Sequence, residues 1–141
     1  QVTRDRVIFR IFYPSRFTCY ALRFFMINDI RLTDNFNLKE FECRCCKQVK
    51  IDSELVFILQ RLRDAINRPV IVTSGYRCVR HNKEIGGVEN SYHLQGVAVD
   101  IAVDMNLERL ADLARSAGFR GIGIYRNFLH LDLGPVRMWR L

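Results

Sequence analysis

The alternation of residues 97–103 constrains the fold more than any other feature of this chain. Branched apolar residues occupy every second position, and the positions between them are small or acidic. A period of two predicts a β-strand with one face in the core. Asp100 lies on the other face between Ala98 and Ala102, whose short side chains leave room for an ion and its water. A carboxylate in such a place requires a cation or a hydrogen-bond donor nearby.

Residues 128–134 alternate in the same way and predict a second strand, with His130 and Asp132 on the face opposite the leucines. If the two strands are neighbours, His93, Asp100 and His130 can meet at one point. Two imidazoles and one carboxylate suit zinc, and three protein ligands leave a fourth position for water, as in catalytic sites. The alternative is that each histidine is a hydrogen-bonded structural residue.

Three motifs occur in order along the chain: Ser74-Gly-Tyr-Arg77, SYHLQGVAVD at residues 91–100, and FLHLDLGPVRMW at residues 128–139. Over residues 35–141 the chain thereby resembles the zinc D-alanyl-D-alanine carboxypeptidase family of bacterial and phage cell-wall peptidases. The family pattern Ser-x-His-x-x-Gly-x-Ala-x-Asp is matched from Ser91 to Asp100, and its later histidine by His130. The amino-terminal domain of hedgehog proteins shares the same metal-binding fold.

The resemblance implies a Zn²⁺ ion held by His93, Asp100 and His130, and hydrolysis of peptidoglycan stem peptides or cross-links at D-amino-acid bonds. It implies a location facing the cell envelope, periplasmic or extracellular, or an endolysin-like phage enzyme released at lysis. Arg77 is associated with gripping the carboxylate of the substrate, and pairing with a local acid is its alternative role. Two other functions stay open: a non-catalytic metal-binding module of the same fold, and a basic module that binds the wall or a membrane surface.

Many relatives in that family have an acid three residues before the last histidine, where this chain has Asn127, which cannot act as a base. Asp132 is the expected substitute as general base, and its alternative role is to fix the tautomer of a ligand histidine. Ser91 is expected to orient His93 or its loop and, with Arg77 and Tyr125, to contact substrate. Tyr125 is also a candidate hydrogen-bond donor to a developing oxyanion.

The remaining segments predict an α+β domain with a small, mainly antiparallel sheet and helices packed on one side, as in the hedgehog and D-Ala-D-Ala peptidase fold. A capping box begins at Asn37, and apolar residues recur at helical spacing over residues 53–66 and 107–117. Residues 69–73 and 121–125 predict further strands, and the latter is linked to the His130 strand by a tight hairpin.

The net charge of +7 is spread along the chain and forms no dense basic patch, so a nucleic-acid partner is not expected. Residues 1–34 predict a basic and aromatic extension, followed by the peptidase domain at 35–141. The apolar run at 19–27 is far short of the roughly 20 residues that a membrane-spanning helix needs, so no transmembrane segment is expected. The protein is expected to be a monomer.

Four of the five cysteines stand at positions 43, 45, 46 and 78, and the fifth is Cys19. No histidine accompanies the first three at the spacing of a zinc finger. A structural metal site and a disulfide between this cluster and Cys78 both remain open, the disulfide requiring a location outside the cytoplasm. An odd number leaves at least one thiol unpaired.

Overall fold

The computed structural model describes residues 28–141. The helices are a 3-10 helix at Leu38–Phe41, α1 at Ser53–Ile66, α2 at Val79–Glu84, α3 at Tyr92–Gln95 and α4 at Leu107–Ala117. The strands are β1 at Ile71–Ser74, β2 at Ala98–Ala102, β3 at Gly121–Ile124, β4 at Leu129–Asp132 and β5 at Arg137–Arg140. Among these residues, no helix has the length and apolar character to cross a bilayer.

The helix boundaries follow the capping residues of the sequence. Asn37 accepts a hydrogen bond from the Lys39 N–H while its own N–H donates to Glu40, so the predicted capping box is confirmed. Asp52 caps α1 by accepting from the Glu54 N–H, and Asn67 ends that helix in the left-handed conformation. Such caps satisfy N–H and C=O groups that the helix itself leaves without partners.

The five strands form one sheet in the order β1-β2-β4-β3-β5. The three pairs among β1, β2, β4 and β3 are antiparallel, and β5 adds to the edge of β3 in parallel. The predicted α+β fold with a mainly antiparallel sheet is confirmed. Strand β5 was not predicted, because Arg137, Met138, Trp139 and Arg140 show no apolar alternation.

The two long helices pack on one face of the sheet and form the core there. This core contains the alternate apolar residues of β2, β3 and β4, including Val99, Ile101, Ile122, Leu129 and Leu131. A period of two therefore places Asp100, His130 and Asp132 on the opposite face. The short helices α2 and α3 lie in the segment between β1 and β2, and α3 contacts β2.

Residues 28–34 contact the domain that follows them. Leu32 packs against the core, and the Asn28 amide donates to Glu42 and to the Lys47 carbonyl. The predicted N-terminal extension falls mostly on residues 1–27, which lie outside the described residues. The boundary at residue 34 stays a prediction.

Gly96 ends α3 at a point where no other residue fits. Its φ of +75° is in the left-handed region, and a Cβ would overlap the Lys50 carbonyl oxygen. We expect Gly96→Ala to lower the free energy of unfolding by about 3 kcal/mol or more, through backbone strain and steric overlap together. Gly86→Ala is the matched control, because φ there is +71° but a Cβ meets nothing within 4 Å. Gly86→Ala should cost only about 1 kcal/mol. If denaturant unfolding showed the same loss of unfolding free energy for both variants, steric overlap at Gly96 would be contradicted.

Candidate metal centre

His93, Asp100 and His130 meet on the sheet face opposite the core. Asp100 and His130 are directly paired across β2 and β4, and the left-handed turn at Gly96 returns the chain from α3 to β2. His93 Nε2 lies 3.1 Å from Asp100 Oδ1 and 3.1 Å from His130 Nδ1, and His130 Nδ1 lies 2.9 Å from Asp100 Oδ1. The structure thus brings together the three residues that the sequence nominated as metal ligands.

The other nitrogen of each imidazole faces an acceptor. His93 Nδ1 is 2.7 Å from the Gly75 carbonyl oxygen, and His130 Nε2 is 3.0 Å from Asp132 Oδ2. A neutral imidazole carries one proton, and the outer acceptors, the Gly75 carbonyl and Asp132, suit the tautomers in which that proton points away from the centre. In those tautomers the nitrogens at the centre of the cluster, His93 Nε2 and His130 Nδ1, have lone pairs that can bind an ion.

This arrangement fits a metal ion better than a hydrogen-bonded cluster. In those tautomers two nitrogen lone pairs and a carboxylate oxygen lie about 3 Å apart with no proton between them, so a cation at the centre is needed to offset their repulsion. Zinc ligand distances of about 2.0 to 2.2 Å allow one ion to reach all three atoms. The carbonyl and carboxylate behind the histidines are the outer partners that metal-binding histidines ordinarily have.

Arg77 holds the second oxygen of Asp100. Its Nη2 donates to Asp100 Oδ2 in a short charge-assisted hydrogen bond, and its Nε donates to Ser74 Oγ at 2.9 Å. Burial raises the pKa of Asp100, but the adjacent imidazoles of His130 and His93 outweigh burial and hold this pKa well below its usual range. Arg77 thus takes the alternative role of pairing with a local acid, and its binding to a substrate carboxylate stays a prediction.

The position of Asp132 argues against its expected role as general base. The residue is fully buried and lies behind His130, with its carboxylate accepting from His130 Nε2, the Gly134 N–H and the Arg137 guanidinium. Burial raises its pKa, but these hydrogen bonds together lower it to about 2. A general base works best with a pKa near the operating pH. The geometry instead favours the second role that the sequence suggested, fixing the tautomer of a ligand histidine.

The three candidate ligands lie in a cleft of about 630 Å³. Aromatic side chains line much of it: Tyr92, Tyr125, Phe128 and Trp139. Tyr125 stacks on Phe128 with ring centroids 4.4 Å apart, so its ring forms part of the wall. Ser91 is buried and caps α3 by accepting from the His93 N–H at 3.4 Å, which orients the loop of His93. Substrate contacts by Ser91 and Tyr125 stay predictions.

Sequence reasoning missed Arg137 and the carbonyl of Gly75. Arg137 lies over the rings of Tyr92 and Trp139, 5.0 and 4.9 Å from their centroids, while its guanidinium binds Asp132. The motif containing Arg137 was recognised, but only a fold with β5 beside β3 brings this side chain to the cleft. A backbone carbonyl leaves no signal in a sequence. Asn127 is exposed in the turn between β3 and β4.

Two glycines of β3 leave space for the groups behind the site. A Cβ on Gly121 would overlap the Asp132 carboxylate and the Arg137 guanidinium, and a Cβ on Gly123 would lie 2.6 Å from the Trp139 ring. Gly123 is paired with His130 and Gly121 with Asp132. The alternation of glycine and isoleucine in β3 therefore matches two different environments: on the site face other side chains pack directly against the strand backbone, and on the other face the isoleucines enter the core.

The model of one protein family, described as Peptidase M15, matches residues 34–132. The chain belongs to the peptidase M15 family. The matched range contains His93, Asp100 and His130, so the convergent cluster lies within the part that defines the family. The resemblance stated from the three sequence motifs is confirmed.

Several relatives of this M15 family member are similar over part of their length. The peptidoglycan L,D-endopeptidase MepK of Escherichia coli K12 is 35% identical over 106 residues, covering 68% of this chain and 58% of the relative. The zinc D-Ala-D-Ala carboxypeptidase of Streptomyces albus G is 34% identical over 88 residues, covering 57% of this chain and 34% of the relative. A probable MepK of Haemophilus influenzae is 35% identical over 82 residues, covering 52% and 44%. The chain thus spans 58% of the Escherichia coli MepK and less than half of the other two relatives.

Replacement of Asp132 distinguishes a role in orienting His130 from a role as general base. We expect Asp132→Asn to weaken zinc binding by about 10- to 100-fold, because an amide does not hold His130 in its ligand tautomer as a carboxylate does. Zinc affinity is measured by competition with a chromogenic chelator, with Asp112→Asn on the exposed face of α4 as the control. Unchanged affinity combined with lost turnover would restore Asp132 as the general base.

Proposed function

We propose that this chain is a zinc-dependent peptidase that hydrolyses peptide bonds in peptidoglycan. The observation that carries this proposal is the meeting of three acceptor atoms, from His93, Asp100 and His130, in an open cleft. Support comes from membership of the peptidase M15 family and from relatives named as a peptidoglycan L,D-endopeptidase and a zinc D-Ala-D-Ala carboxypeptidase. Such a substrate places the protein at the cell envelope when it acts.

Some residues bind the ion directly, and others hold its ligands in position. His93, Asp100 and His130 bind it, the Gly75 carbonyl and Asp132 keep the two imidazoles in their ligand tautomers, and Arg77 fixes the remaining oxygen of Asp100. When bound, zinc lowers the pKa of a coordinated water to about 7 and polarises the carbonyl of the substrate. Three protein ligands leave a coordination position for that chemistry.

The charge of the cleft suits a substrate that bears carboxylates. Arg77 and Arg137 each neutralise one acid, Asp100 and Asp132, so a divalent ion adds a net positive charge to the floor of the cleft. Peptidoglycan stem peptides carry free carboxylates, which this field attracts. The flat rings of Tyr92 and Trp139 offer apolar contact on either side of Arg137.

A second candidate function rests on one observation about the cleft. Among the described residues that line it, the only carboxylate is that of Asp100, and both of its oxygens are engaged. A peptidase of this kind commonly uses a glutamate or aspartate to accept the proton of the water. A metal-binding module without hydrolysis, as in hedgehog proteins, is therefore the alternative.

Digestion of purified sacculi tests the proposal. We expect the zinc-loaded chain to release peptide fragments whose masses identify the bond cleaved, L,D or D,D, and whether a terminal residue or a cross-link is lost. Treatment with a chelator should stop the release, and added zinc should restore it. Zinc bound at this site with no fragments released from sacculi would favour the non-catalytic module.

The ligand role of His130 has a matched control within the chain. We expect His130→Ala to weaken zinc binding at this centre by more than about 100-fold, exceeding the usual cost of losing an outer partner, and to abolish hydrolysis. His81→Ala removes a histidine of α2 whose side chain pairs with Glu84 when the imidazole is charged, so it should leave both zinc binding at this centre and hydrolysis unchanged. Equal behaviour of the two variants in zinc titration would exclude His130 as a ligand.

Arg77 is expected to act through Asp100. Arg77→Ala should reduce zinc affinity and should slow hydrolysis of peptides with free and with amidated carboxyl termini to the same extent. The reason is that a guanidinium already bound to Asp100 stabilises the ligand whatever the substrate. Steady-state kinetics on the two peptides measure the effect. A loss confined to the free-carboxylate peptide would support substrate binding by Arg77.

A further inference from the structure

Four cysteines form a second cluster on the chain. Cys43, Cys45 and Cys46 lie in the loop after the 3-10 helix, and Cys78 is the N-cap of α2. Their sulfur atoms all lie within 4.8 Å of one another. Cys43 is fully buried and the other three are partly buried. None of the four is among the ligands of the M15 centre.

The distances between sulfurs suit one shared ion. Cys45 Sγ lies 3.6 Å from Cys43 Sγ and 3.3 Å from Cys78 Sγ, so it is close to two sulfurs at once. A disulfide joins only two sulfurs, at about 2.05 Å. Zinc held by four thiolates at about 2.3 Å places its sulfurs about 3.8 Å apart, which lies within the observed range. We propose that Cys43, Cys45, Cys46 and Cys78 bind a structural zinc ion.

The surroundings of the sulfurs support thiolate ligands. The Cys78 N–H points to Cys43 Sγ and the His81 N–H to Cys78 Sγ, each at 3.4 Å. The positive charge of Arg80 on α2 interacts with Cys45. N–H donors and a nearby cation stabilise the negative charge that four thiolates leave on a bound divalent ion. A site closed by four cysteines is typical of structural zinc, whereas catalytic sites keep an open position.

The local sequence contains a signal for this site. Cys43 and Cys46 stand in a Cys-x-x-Cys pattern, with Cys45 as an additional ligand between them. Lys47 follows with φ of +59°, and its N–H donates to the Cys43 carbonyl, which turns the loop back on itself. The turn gathers three sulfurs on one side, and Cys78 supplies the fourth from 32 positions further along.

The proposed ion joins two loops that meet behind the M15 centre. Phe41 accepts a hydrogen bond from the Tyr76 N–H at 2.8 Å, and its backbone lies where a Cβ of Gly75 would be. The loop at 75–77 supplies the carbonyl that faces His93 and the guanidinium that holds Asp100. A zinc ion bound to Cys78 and to the loop at 43–46 therefore braces the outer partners of two ligands. This bracing role rests on the proposed function of the M15 centre, but the cysteine site does not.

Zinc stoichiometry tests the proposal. The full chain, purified under reducing conditions and analysed by elemental mass spectrometry, should hold two zinc ions. A His93→Ala, His130→Ala double variant should keep one of them, and X-ray absorption at the zinc edge should then show sulfur ligands at about 2.3 Å. A Cys45→Ser, Cys46→Ser double variant should lose that ion, whereas Cys19→Ser should retain both.

Cobalt substitution keeps the test independent of whether the cysteine variant folds. Co²⁺ bound to the His93→Ala, His130→Ala variant should give the charge-transfer and d–d bands of tetrahedral thiolate ligation, since all four cysteines are intact. The proposal is overturned if these bands are missing, if intact mass shows a disulfide among the four cysteines in the reduced preparation, or if the site purifies with iron. Two zinc ions without hydrolysis of sacculi would support this site while contradicting the peptidase.

Discussion

The candidate centre depends on holding three electron-pair donors close together on one face of the sheet. His93, Asp100 and His130 present two nitrogens and an oxygen to one point, and the Gly75 carbonyl and Asp132 keep the ring protons away from it. A cation bound at that point would offset the repulsion among these atoms, and binding of that kind adds to the stability of the folded state. The sheet register, the turn at Gly96 and the hydrogen bond of Arg77 all serve to hold these acceptors in place.

Much of this arrangement could be predicted from sequence, because it depends on periodicity. The alternation around Asp100 and His130 placed both side chains on the face away from the core. A capping box located the 3-10 helix, and apolar residues at helical spacing located α1 and α4. His93, Asp100 and His130 meet only because β2 pairs with β4. The order of the motifs suggested this pairing, but the spacing of the residues alone did not determine it.

The points that the sequence left open have a common physical origin. Asp132 was expected to be the base because strand geometry places it near His130, but its burial and its pairing with Arg137 depend on β5, a strand without apolar alternation. The four cysteines could be read as ligands or as a disulfide, because the distance between the loops at 43–46 and 78 is set by contacts of Phe41 with Gly75 and Tyr76. Contacts between segments distant in sequence leave no local pattern.

The two glycines of β3 limit which parts of the cleft can change shape as the sequence varies. Since that strand contributes only backbone beneath Trp139, Asp132 and Arg137, it acts as a fixed spacer in which even one added methyl group has no room. The segment at 85–90 is less constrained, because Ile85 and Val88 are solvent-exposed at the rim of the cleft. New specificities in such a domain would be acquired by loop variation over an invariant floor.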